Sequence, residues 1–161
     1  MEQGQFVLDL FQKRIEVYSQ LKDVLRHQQE ALIDNDIAKI KEISAEQLGY
    51  LEKINEYENT WRDFLEQQFP SIEPSQSSQV FPEKLNFSEK EILQIRRWQK
   101  QLRDILLEIK DLKESNQVLM ENSLSFVRSL LNNISNGVTK ENVYHPHKKS
   151  KSTNRLINRT L

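Results

Sequence analysis

The chain reads as all-α, an elongated antiparallel three-helix bundle of coiled-coil character that closes on a flexible basic C-terminal tail. Three observations carry that expectation. Apolar residues recur at alternating spacings of three and four through three long stretches, which is the period of one helical face. Gly and Pro are scarce, three and four in 161 residues, while Gln, Glu, Lys, Leu and Ile dominate, as expected of long helices rather than strands. Strong breaks fall in two places only, so three rods are left to pack. Only 37% of the residues are hydrophobic, which limits the thickness of the core.

The first helix is expected over about residues 5–33, with a seam of Val7, Leu10, Phe11, Val17, Tyr18, Leu21, Val24, Leu25, Ala31 and Leu32. Arg14 and Gln28 interrupt the seam, where a polar residue snorkels or sets register. At Asp34-Asn35-Asp36 the pattern stops and restarts, a sequence that makes a tight turn and caps the following helix, so an antiparallel hairpin is implied. The second helix, about 36–69, carries Ile37, Ile40, Ile43, Leu48, Leu51, Ile54, Tyr57, Trp61, Phe64 and Leu65. It ends near Phe69 because Pro70 disfavours helix in the residue before it. Trp61 and Phe64 are expected to fill the wide end of the bundle, and Gly49 to permit a close helix crossing.

Residues 70–87 hold three of the four prolines with Ser75, Ser77 and Ser78, a polar loop that Val80 and Phe81 would pin down. Ser88 with Glu91 three residues on is a capping box opening the third helix, about 88–135, and Gly137 stands where a C-terminal cap would end it. That helix carries Ile92, Ile95, Leu102, Ile105, Leu106, Ile109, Leu112, Leu119, Phe126, Val127 and Leu130. At 1.5 Å per residue it would span roughly 70 Å, against about 45 and 50 Å for the first two. If the three start level, Asn116 to Ile134 has too little of its own molecule to rest against. The bundle domain is thus placed at 1–137. The remainder, 138–161, carries Lys140, Lys148, Lys149, Lys151, Arg155 and Arg159 against Glu141 alone, and is expected to be a disordered basic tail on an acidic body.

Composition excludes much chemistry. With no Cys there are no disulfides or thiolate metal sites. His27 lies in a polar run and reads as solvated, and no Glu-x-x-His pair marks a di-iron bundle. His145-Pro146-His147 has no second ligand cluster beside it, and Gly4, Gly49 and Gly137 are too isolated for a phosphate loop. No enzyme, cofactor or metal is expected. The tail could attract phosphates, but only Tyr144 could stack a base and the body is acidic, so no nucleic-acid partner is expected. No apolar run approaches the roughly 20 residues that cross a bilayer and no secretory leader opens the chain, so a cytoplasmic protein without stable membrane insertion is expected.

The order of these parts resembles the FlgN family of flagellar export chaperones. The resemblance is carried by Gln29-Glu30-Ala31-Leu32-Ile33 leading into Asn35-Asp36-Ile37, by the run from Leu51 to Trp61 with Glu58 near its end, by Asn116-Gln117, and by a basic tail closing on Arg155-Leu156-Ile157-Asn158-Arg159. It implies a cytosolic protein that binds unassembled hook-filament junction (hook-associated) proteins, keeps them from premature assembly and delivers them to the export gate. It also implies that client capture falls on Leu119, Met120, Leu124, Phe126, Val127, Leu130 and Leu131, and docking to an export-gate component on Tyr144. The chain departs from the family where His145-Pro146-His147 replaces glycines after the tyrosine and Asn158 an acidic residue. The competing expectation is a structural coiled-coil module that self-associates through the same stripe as a scaffold or spacer.

Overall fold

The structure, a computed structural model, describes residues 2–73, 76, 81–82 and 85–144. It contains α1 (Glu2–Ile33), α2 (Ile37–Gln68) and α3 (Glu89–Tyr144), with no strand among the described residues. The chain divides into two compact units, 1–120 and 121–161. The first is the bundle.

The α1–α2 turn is built by local hydrogen bonding. Asn35 takes φ 53°, the left-handed conformation that Asn tolerates better than most residues. The Asp36 N–H then reaches back to the Ala31 carbonyl at 3.0 Å, closing a Schellman-type end on α1. The Asp36 carboxylate accepts from the Lys39 N–H at 3.0 Å, capping α2. The chain therefore reverses within three residues. At the start of α3, Glu91 accepts from the Ser88 N–H at 2.7 Å while the Ser88 hydroxyl accepts from the Glu91 N–H at 3.4 Å, the reciprocal box expected from sequence. The Ser88 hydroxyl also donates to the Glu91 carboxylate at 2.7 Å, and that bond, with the one from the Ser88 N–H, holds the carboxyl below its usual range.

Pairings between helices fix the topology. Arg14 meets Glu58 and Gln28 meets Gln47, so α2 runs antiparallel to α1. Phe11 stacks on Trp98, Ile15 packs with Leu102 and Ile105, and Asn116 reaches the Leu25 carbonyl, so α3 runs parallel to α1. This is an up-down-up bundle. Its wide end is aromatic: Trp61 lies 5.1 Å from Phe11, 5.6 Å from Phe64 and 4.9 Å from Phe81, measured between ring centroids. Phe81 is fully buried and carries the connection between α2 and α3 into the core, as expected; Val80 lies outside the described residues. Burying a ring of that size contributes about 1.5–3 kcal/mol.

Three expectations are corrected. First, Ile37, Leu48 and Leu51 are exposed rather than in the α2 seam. The seam runs through Ile40, Ile43, Gln47, Tyr50, Ile54, Tyr57, Trp61 and Phe64, an unbroken alternation of three and four that admits Gln47 and Tyr50 ahead of the nearby leucines. Leu106 is likewise exposed on α3, while Ile15, absent from the expected α1 stripe, is buried. Second, Gly49 permits no close crossing, since a Cβ there would meet nothing within 4 Å. Third, α3 continues through Gly137, which does not take a positive φ, and reaches Tyr144. A glycine inside a helix costs only about 1 kcal/mol relative to Ala and need not end it. Residues 145–161, including most of the expected tail, lie outside the described residues.

Candidate binding surface

Two polar residues of the α1 seam turn out to organise the bundle. Arg14 does not snorkel to solvent: its guanidinium donates to both carboxylate oxygens of Glu58, at 2.8 and 3.0 Å, and lies over the rings of Phe11 and Trp61. The Tyr18 hydroxyl donates to the same carboxylate at 3.2 Å. Burial, with the Glu58 charge and hydrogen bond behind it, pushes the Tyr18 ionisation up to about 12. Further along, the Gln28 amide donates to Gln47 Oε1 at 3.3 Å and accepts from Asn116 Nδ2 at 3.1 Å, a polar layer that joins all three helices.

Asn116 therefore does not open the exposed segment, contrary to expectation. It is 2% exposed, donating to the Leu25 carbonyl at 2.9 Å and to Gln28, with its own Oδ1 buried and unpaired. A buried Asn at a seam position fixes register at some cost in stability. In the same unit Leu119 is half-buried and Met120 is 36% exposed.

The second unit presents a different surface. Leu124 is 56% exposed, Phe126 65%, Val127 50%, Leu130 45% and Leu131 57%, and Ile134 is exposed as well. At about 100° per residue these six side chains fall within one arc of roughly 160° around the helix. The rest of the circumference over 121–134 is Glu121, Asn122, Ser125, Arg128, Ser129, Asn132 and Asn133, beside Ser123 within the arc. The helix is thus sharply two-faced, and its apolar face is uncovered among the described residues. Of the seven residues expected to capture a client, five lie together here and Leu119 and Met120 belong to the bundle unit. Tyr144 is the last residue of α3, and its side chain lies outside the described ones. Ile134, the last residue of the segment expected to be uncovered, shares this face at spacings of three from Leu131 and seven from Val127.

Among the described residues no three or more His, Asp or Glu side chains gather as a metal site, and no helix is long and apolar enough to cross a membrane. A wide exposed apolar stripe on a helix is the kind of surface on which amphipathic helices dock. A family model described as FlgN protein matches residues 1–152, so the chain belongs to the FlgN family, a family of flagellar export chaperones rather than of enzymes. No match was found among curated proteins or among solved structures.

Proposed function

We propose that this chain is a cytoplasmic chaperone for unassembled hook-filament junction proteins, which it holds through the apolar face of Leu124, Phe126, Val127, Leu130 and Leu131, with Leu119 and Met120, and hands to the export gate. The observation that carries this reading is the exposure of that face in a chain that is otherwise very polar. An amphipathic helix of the client, laid against it, would be masked from the partners it meets after secretion. Each large apolar side chain buried contributes roughly 1.5–3 kcal/mol of gross affinity, and ordering the client consumes part of that, which supports micromolar to sub-micromolar binding. Binding of that strength is reversible on delivery. Tyr144 serves the hand-over by docking to an export-gate component, a role proposed on family resemblance.

Titration of the purified junction subunit into the full chain tests capture. Phe126→Asp or Leu130→Asp is expected to abolish complex formation while helicity and thermal unfolding stay near those of the parent; a large loss of helicity would make these residues core instead. Tyr144→Ala is expected to spare client binding and impair secretion, and unimpaired secretion would remove the tyrosine from the mechanism. A stable dimer burying the face in the absence of client would instead favour the scaffold.

A further inference from the structure

The width of the exposed face bears on what it receives. Where α3 closes on the α1–α2 hairpin, Ile95, Trp98, Leu102, Ile105, Ile109 and Leu112 occupy an arc of about 100°, at about 100° per residue, and that seam packs against two helices. From Leu124 to Ile134 the arc is wider, roughly 160°. It resolves into two stripes: Phe126 and Leu130 continue the heptad of Leu102, Ile105, Ile109, Leu112, Asn116 and Leu119, while Leu124, Val127, Leu131 and Ile134 form a second line at spacings of three, four and three. A core-facing helix needs an apolar stripe of about 100°, and a paired coiled coil less, so one helix laid on this surface would leave a stripe in water.

Charge composition points the same way. Residues 89–115 carry 13 charged side chains, whereas 121–137 carry only Glu121 and Arg128. Coiled-coil pairs choose a single partner through charges flanking the seam. Here the positions that would flank one stripe belong to the other.

We propose that the partner seated on this surface presents two amphipathic helices side by side, one on each stripe, so that α3 and its client close a helical bundle in which the client supplies the parts that α1 and α2 supply in the bundle unit. The inference rests on the proposed chaperone reading and extends it from capture of a helix to capture of a helical pair.

The absence of cysteine permits a direct test, because a single cysteine labelled with a polarity-sensitive fluorophore reports one edge of the face. Asn133→Cys lies just outside the Phe126 edge, Arg128→Cys just outside the Leu124 edge, and Ser125→Cys opposite the face. Each labelled full-length chain is mixed with the purified junction subunit, and complex formation is followed by mass. A helical pair is expected to shift emission to the blue at both edges and leave Ser125→Cys unchanged. A complex that shifts one edge alone contains a single helix on the face, which overturns this inference and leaves the chaperone reading standing, whereas a complex that shifts neither edge places the client elsewhere and overturns both. Failure to form a complex with the unlabelled chain removes both.

Discussion

Arg14 and Glu58 illustrate how a single charge is accommodated in a thin core. The guanidinium is nine-tenths buried between Phe11 and Trp61 and is satisfied by a bidentate carboxylate, whereas Glu58 keeps about a third of its side chain in water. Loss of the two partners is therefore unequal. Glu58→Leu strands a buried cation and is expected to cost about 3 kcal/mol, while Arg14→Met keeps the packing, leaves a carboxylate that reaches solvent, and is expected to cost less than about 1.5 kcal/mol. Urea unfolding of the two variants checks the inequality, and equal losses would contradict it. Tyr18 adds a pH dependence to the same site. Folding raises its ionisation from the ordinary 10.0 to about 12, so its contribution is complete below pH 10 and is lost as pH climbs from 10 toward 12. Tyr18→Phe is expected to flatten the unfolding free energy over that interval, and an unchanged alkaline slope would place the effect elsewhere.

At the scale of the helices, capped ends are legible in the sequence, whereas faces and the uncapped end of α3 are not. Asp36 and the Ser88–Glu91 pair cap where expected, because capping is a local contest that a few side chains decide. The α2 face was misread at Leu48 and Leu51 because the choice between neighbouring stripes depends on what the facing helix offers. Gln47 gains a hydrogen bond to Gln28 that no single stretch of sequence announces. The burial of Asn116 is hidden from the sequence for the same reason: it depends on Leu25 and Gln28, some ninety residues away in the chain. The exposed stripe from Leu124 to Leu131 was legible because helix length and periodicity sufficed. Gly49 is a helical glycine with open space around its missing Cβ, so Gly49→Ala is expected to raise stability by about 0.5–1 kcal/mol through helix propensity. Thermal and urea melts measure the gain, and destabilisation would restore a packing role to that glycine.

For the molecule as a whole, the bundle unit and the second unit divide labour by composition. The first buries its seam internally and fixes register with a polar layer, while the second carries a wide apolar face flanked mostly by Ser and Asn, with Glu121 and Arg128 the only charges over 121–137. Client capture should accordingly depend little on ionic strength. Raising salt to about 0.5 M, where the screening length falls to a few ångströms, is expected to leave affinity for the junction subunit nearly unchanged. A steep loss would shift the interaction to the basic residues beyond Tyr144. Amide hydrogen exchange of the chain, free and bound to the junction subunit, tests the central claim most directly. Rapid exchange over residues 121–137 in the free chain at any protein concentration, replaced by protection of that segment in the complex, is the predicted result. Protection already present in the free chain, or a complex that protects only α1, α2 and residues 89–116, would contradict it.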